Sequence, residues 1–484
     1  MKNIIIAKNA SILLITDIIS KVLQTVLAIV IARKLGASEL GLLKYAIAFA
    51  VMFSFIPNFG FNNFINREVA KNPELSGIYF SNLSVVKFLL SIITFLIIFV
   101  SSYITKSDYE QLIIICYAAG IMLINSFIQF YTAFFRGFQK AEYEAIILIS
   151  ENILFAVTGI LIITLGRSLR FMMMIRFAVT VLIFIAGFII LKMKILKTPY
   201  RISASSCISL IKSATPFTIL TILIIVNTQV GIVLLTNMKG TDSTGLYIAA
   251  LNLCGVFQFL SASVAGAILP AMTKFAKENN RIDLENTFSK SIKYLLILVL
   301  PIAAGTTVIA DKIILLIYGV EFTNSIITLR ILIWVVVFSF ANTIFNVAFL
   351  SIDKEKIFVR IQILVTIIYL SLCFTLIPIF GHNGVAFAYT FSQCIIFVIA
   401  KLYFAKYLNN VRITSILFKL SVAASIMVIS TILIRTFPLI FIILVACVVY
   451  ATSLIILKIF DQNELNFMKE GIAKLSHVFA ENRI

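Results

Sequence analysis

Apolar residues fill this chain in about fourteen runs, each near twenty residues long, from Asn9 to Phe460. Only short polar joints separate them. A helix rises ~1.5 Å per residue, so about twenty apolar residues span a hydrocarbon core ~30 Å thick. Each run therefore predicts a helix that crosses a membrane. The predicted spans are 10–32, 40–65, 79–103, 110–135, 143–165, 169–191, 214–236, 244–270, 291–310, 326–350, 357–379, 384–405, 415–434 and 437–458. No hydrophilic segment is long enough for a soluble domain. The tail from Asp461 is polar and reads as a weak helix at the membrane surface. The expected fold class is an all-α polytopic membrane protein of about fourteen transmembrane helices.

Composition sharpens this picture. The chain has 484 residues, 61% hydrophobic and 13% charged, where a soluble protein carries roughly a quarter charged residues. The net charge of +19 would suggest nucleic acid in a soluble protein, but no basic helix or aromatic platform stands outside the spans, so nucleic acid is not expected as a partner. The basic residues instead mark orientation. With the spans numbered in order, the N-terminus, the joints after even-numbered spans and the tail carry 27 of the 40 Lys and Arg, against 10 in the joints after odd-numbered spans. Both termini are therefore expected in the cytoplasm. Asp17 and Lys21 interrupt the first apolar run, which argues against a cleavable signal peptide. The cysteines at 116, 207, 254, 373, 394 and 447 form no close pair, giving neither a disulfide framework nor zinc spacing. No metal site, cofactor or catalytic constellation is expected. The two histidines, His382 and His477, lie in a joint and in the tail, and no phosphate-binding Gly-x4-Gly-Lys-Ser/Thr motif occurs.

An internal repeat divides the chain. Gly36-Ala37-Ser38-Glu39-Leu40-Gly41-Leu42 follows span 1, and Gly240-Thr241-Asp242-Ser243-Thr244-Gly245-Leu246 follows span 7. Glycines suit the tight turn from one helix into the next, and parallel repeats related by an axis along the membrane normal are a transporter architecture. The expected plan is an N-lobe at 1–200 (helices 1–6), a C-lobe at 201–410 (helices 7–12), helices 13 and 14 at 411–460, and a cytoplasmic tail at 461–484.

Charge inside the membrane costs ~2.5–3.5 kcal/mol per residue on insertion scales and so marks function. In span 1, Asp17, Lys21 and Gln24 recur on one helical face, with Lys21 near mid-membrane. They either line a cavity or form a structural Asp17–Lys21 pair. Lys87 in span 3 and Arg176 in span 6 either line the same cavity or reach back to the interface. Glu151 in span 5 is a counter-charge or an ion-coupling site, a role also open to Asp17. Arg67, Arg330 and Arg360 lie closer to span ends, as anchors or as ligand contacts. Asn342 and Asn346 share a face as sugar contacts or interhelical glue. Pro57 and Gly60 predict a kink in span 2.

Ala32-Arg33-Lys34-Leu35-Gly36 with Glu39-Leu40-Gly41-Leu42 resembles the first joint of the polysaccharide flippases. Asn58-Phe59-Gly60-Phe61-Asn62 through Arg67-Glu68, Lys140-Ala141-Glu142-Tyr143-Glu144, Pro216-Phe217, Gly245-Leu246-Tyr247 with Pro270, Tyr318-Gly319, and Pro378 with Gly381, Gly384 and Ala386 fit the same pattern. The resemblance covers nearly the whole chain. It implies a flippase, in the superfamily that also holds multidrug extruders and the lipid II flippase. Its substrate would be a polyprenyl-pyrophosphate-linked oligosaccharide, moved to the outer leaflet by alternating access for cell-surface polysaccharide such as O-antigen. Membrane lipids, a glycan polymerase and glycosyltransferases are the implied partners. The resemblance supplies no site residues; the deep polar positions Lys21, Asp17, Gln24, Lys87 and Arg176, with Arg67, are the candidate substrate contacts. Helices 13 and 14 shape a groove for the lipid tail, by similarity to the lipid II flippase. A cation-coupled drug exporter and a membrane-embedded glycan polymerase or ligase are the alternatives.

The predicted orientation has a direct readout. In a cysteine-free background, Asp108→Cys should react with a membrane-impermeant maleimide on intact cells and Glu278→Cys should not. The reverse labelling would overturn it.

Overall fold

Hydrocarbon offers the backbone no hydrogen-bond partner, so a chain of this hydropathy must close every peptide bond within helices. The computed structural model describes residues 2–104, 108–195, 221–407 and 413–460, with positions 210 and 218, and these are helical with no strand among them. The helices are α1 (Lys2–Met52), α2 (Phe55–Asn58), α3 (Phe61–Lys71), α4 (Ser76–Ile104), α5 (Tyr109–Gly137), α6 (Ala141–Thr164) and α7 (Leu169–Lys194). After a π-helical turn at Val226–Val230 come α8 (Gly231–Gly255), α9 (Gln258–Lys277), α10 (Arg281–Ile317), α11 (Ser325–Ser351), α12 (Glu355–Phe380) and α13 (His382–Phe404). The last two are α14 (Ile413–Leu433) and α15 (Leu439–Ile456). Twelve helical segments among the described residues are long and apolar enough to cross a membrane. Most of the expected joint Lys192–Lys212, the pair Pro216-Phe217, Cys207, and the tail with His477 lie outside the described residues.

At 51 residues α1 is far longer than one crossing. It does not run straight. Gly36 takes φ 84°, ψ −177°, a conformation open to glycine and closed to residues with a Cβ. The Asn9 amide donates to Gln139 O at 2.9 Å, and Val69 packs on Gly137, so residues on both sides of Gly36 return to one end of the bundle. Gly240 has nearly the same dihedrals, φ 81° and ψ 176°, and interrupts α8 in the same way. The runs that the hydropathy pattern separates at Gly36 and Gly240 are thus separate helices, each pair folded back at a single non-helical glycine.

These two glycine turns meet. A Cβ on Gly41 would collide with the carbonyl oxygen of Thr241, and a Cβ on Gly245 would collide with that of Ala37. Ser38 and Thr241 share a hydrogen bond of 2.8 Å between their hydroxyls. Arg33 donates through Nε to Ile317 O at 2.7 Å and through its second nitrogen to Leu316 O. Tyr45 donates to Asn237 Oδ1 at 3.1 Å. Among the described residues, the hydrogen bonds joining 1–195 to 221–407 are these four, all from residues 33–45. The two halves are tied at the glycine end. The opposite end, which holds Asn9, Gln139 and Lys140, has no such tie among the described residues.

Close approach continues inward through alanines. Ala46, Ala50, Ala249 and Ala250 are fully buried, and small residues let helix backbones pack where lipid gives no hydrophobic drive. A second core of Phe61, Phe64, Phe80, Phe130, Phe134 and Phe135 fastens α3, α4 and α5 together. Near it, Glu144 is buried beneath Arg136, whose Nε lies 2.8 and 2.9 Å from its two carboxylate oxygens. The expected kink in the second span is present as a break. α2 ends at Asn58, and Phe59 (φ 33°) and Gly60 (φ 69°) are left-handed before α3 starts.

The glycine contact makes a stability prediction. Gly41→Ala and Gly245→Ala should each cost about 1–3 kcal/mol through overpacking against backbone. Gly266→Ala, where a Cβ meets open space, should be neutral or stabilising. Thermal midpoints in detergent compare the three, and unchanged midpoints for the first two would refute the close contact.

Candidate functional site: a polar chamber inside the bundle

Between the halves, apolar walls enclose a polar cavity of about 300 Å³. Its polar lining comes from Ser54 and Asn58 at the end of the second crossing, Asn125, Ser126 and Gln129 on α5, Arg176 on α7, and Thr221 from the second half. A second cavity of about 200 Å³ shares Asn125, Gln129 and Arg176 with it, and adds Gln24, Glu151, Asn152 and Thr180. The shared residues make them one chamber with two compartments.

Arg176 is the centre of this chamber. Its guanidinium stacks on the Phe155 ring, 4.1 Å from the centroid. Glu151, one helical turn before Phe155, acts on Arg176 electrostatically without closing an ion pair. A cation stacked on a ring and facing a carboxylate at longer range stays available to a ligand. Lys44, half-buried in the second half of α1, lies within electrostatic reach of both Lys21 and Arg176. Three cations therefore crowd the interior. Mutual repulsion among them favours binding of an anion.

The sequence-predicted residues separate into two groups. Arg176, Glu151 and Gln24 line the chamber. Gln24 donates to Asn152 Oδ1 at 3.0 Å and Asn152 donates to Ser20 Oγ at 3.1 Å, a polar seam between α1 and α6. Lys21 is half-buried with its ammonium packed toward Gly255 of the second half, beside the chamber rather than on its wall. Asp17 is exposed, and the described residues contain no Asp17–Lys21 ion pair. The cation that acts on Asp17 is Arg136. The helical spacing allows a pair, but Arg136, near the end of α5, acts on Asp17 instead.

Lys87 and Arg67 lie outside the chamber, contrary to expectation. Lys87 neither lines the cavity nor reaches the interface: it is fully buried, donating to Pro57 O at 2.9 Å and Asn58 Oδ1 at 3.1 Å. The broken helix freed a carbonyl, and a buried ammonium needs acceptors. Arg67 is exposed near the end of α3 and pairs with Glu68 at 2.9 Å. Asn342 donates to Gln393 O and Oε1 at 3.0 Å and Asn227 to Thr366 at 2.7 Å, so both amides bind neighbouring helices.

Lys44, Asn125, Ser126 and Gln129 escaped the sequence reading. Lys44 lies only four residues inside its apolar run, where a cation reads as belonging to the polar joint. The i, i+4 spacing of Asn125 and Gln129 within an apolar run was the signal that marks them.

A third cavity, of about 760 Å³, is almost wholly apolar. It runs between α10 and the last two helices, lined by Tyr294, Pro301, Gly305, Met427, Ile442 and Tyr450 among others.

Comparison with known proteins gives a consistent picture. Residues 6–276 match the model of the family described as polysaccharide biosynthesis protein. A probable low-salt glycan biosynthesis flippase, Agl15 of Haloferax volcanii, is 26% identical over 166 residues, and the match spans 34% of each chain. The structure of the lipid II flippase MurJ in an inward closed conformation superposes with a TM-score of 0.75 at 16% identity, covering 91% of this chain and 97% of that one. An inward-facing multidrug transporter of the MATE family gives 0.65 at 16% identity, covering 82% and 96%. At such identities the two solved structures establish likeness of fold.

Proposed function

Since the chain belongs to the polysaccharide biosynthesis protein family, we propose that it is a multi-pass flippase of the cytoplasmic membrane, carrying polyprenyl-pyrophosphate-linked oligosaccharide to the outer leaflet by alternating access. The observation that carries the reading is the chamber. It offers Arg176, with Lys44 and Lys21 nearby, inside a bundle that is otherwise hydrocarbon. A pyrophosphate bearing sugars pays a prohibitive cost in lipid. A guanidinium and ammonium groups in a shielded cleft replace its water, at about 1.5–3 kcal/mol for each charge-assisted hydrogen bond.

On this reading the folded-back glycine turns relate two six-helix lobes, 1–200 and 201–410, by a pseudo-twofold along the membrane normal, with α14 and α15 appended. The glycine end, tied by Ser38–Thr241 and Arg33–Ile317, is the outer gate in its closed state. The untied end faces the cytoplasm, as the Lys and Arg distribution also suggests. The polyprenyl tail stays in lipid and follows the apolar groove between α10 and the last two helices. Glu151, facing Arg176, is the coupling candidate: its protonation state sets how strongly Arg176 is available to phosphate. Glycosyltransferases and a glycan polymerase would act before and after transport.

Reconstitution with a fluorescent lipid-linked oligosaccharide tests this. Wild type should flip the probe, and Arg176→Ala and Lys21→Ala should slow it about tenfold or more. Equal rates for wild type and both variants would remove these cations from the site. Failure of wild type under any ion gradient would overturn the substrate reading.

A further inference from the structure

The break in the second crossing holds a side-chain assembly that substrate electrostatics alone do not explain. α2 ends at Asn58, and the chain restarts only after two left-handed residues, Phe59 and Gly60. A phenylalanine at φ 33° is unfavourable, so something must hold the break. Lys87 does: its ammonium binds the Pro57 carbonyl at 2.9 Å at the negative end of the short helix, under the rings of Phe127 and Phe130. It also lies 3.1 Å from the Asn58 side chain. An ammonium donates and never accepts, so the Asn58 atom facing it is the oxygen. Ser126 donates to that same oxygen at 2.7 Å. With its oxygen held twice, the amide cannot rotate, and its nitrogen is turned away from both partners. No described residue accepts from that nitrogen. Asn58 and Ser126 lie on the wall of the 300 Å³ cavity together with Arg176. Asn125 Oδ1 is buried on the same wall with no partner among the described residues.

We propose that Lys87 and Ser126 are positioning residues that lock Asn58 so that its amide nitrogen donates, alongside Arg176, to a phosphoryl oxygen of the substrate head group. The proposal rests on the chamber being the head-group site. Lys87 then serves recognition without touching the ligand. The strained break is retained because it aims Asn58.

Asn58→Asp separates this from a purely structural role. The carboxylate keeps both contacts, to Lys87 and to Ser126, but offers the ligand an acceptor in place of a donor. In nanodiscs, Asn58→Asp should keep the wild-type thermal midpoint and bind a fluorescent polyprenyl-pyrophosphate disaccharide at least tenfold more weakly. Asn58→Leu and Lys87→Met should lower the midpoint. Binding by Asn58→Asp equal to wild type would overturn the donor role. If wild type itself fails to bind the probe, the substrate reading falls, and the midpoints still judge the lock: wild-type values for both Asn58→Leu and Lys87→Met would overturn it.

Discussion

Two peptide backbones touch where Gly41 faces Thr241 and Gly245 faces Ala37, and the rest of the architecture depends on that contact. Helices in lipid gain nothing from burying apolar side chains against one another, because the lipid is as apolar as they are. What brings them together is packing close enough for dispersion and for hydrogen bonds across the gap. Glycine removes the Cβ that would hold the helices apart. At this end the approach is close enough for Ser38 to reach Thr241 and Arg33 to reach the carbonyls that end α10. Among the described residues, the other end has no comparable set of small residues meeting across the halves.

The asymmetry explains how one chain can be both greasy and wet. Its polar side chains do different work. Some bind helices together, as Asn342 and Asn227 do. Some neutralise a buried partner, as Arg136 does for Glu144. Others face the chamber, Arg176, Glu151, Asn58, Asn125 and Gln129 among them. Compartments of about 300 and 200 Å³ are at and below the low end for a binding site. On the proposed reading, a glycan head of several sugars would need the halves to part further, with the glycine contact opening in turn.

The helical plan was legible because hydrocarbon imposes a length on every apolar run, and the glycine repeat was legible because a backbone reversal needs residues without a Cβ. The break at Pro57 and Gly60 was visible for the same kind of reason: it is written in local backbone chemistry. Side-chain destinations were not. Lys87 looked like a cavity cation because depth along a helix can be counted, whereas the carbonyl it binds belongs to another helix 30 residues away. Asp17 and Lys21 have the spacing of a pair, but Arg136 arrives from α5 and Lys21 turns toward Gly255. The chamber belongs to no one helix. It exists only where α1, α2, α5, α6, α7 and residues 221–225 of the second half converge, and one-dimensional periodicity cannot show which faces converge.

The central claim is that the glycine end must open for transport. It is tested most directly by joining Ser38→Cys to Thr241→Cys in a cysteine-free protein reconstituted with a fluorescent lipid-linked oligosaccharide. The account predicts that oxidation stops flipping and that reductant restores it, with each single cysteine unaffected. Full flipping by the cross-linked protein would contradict it.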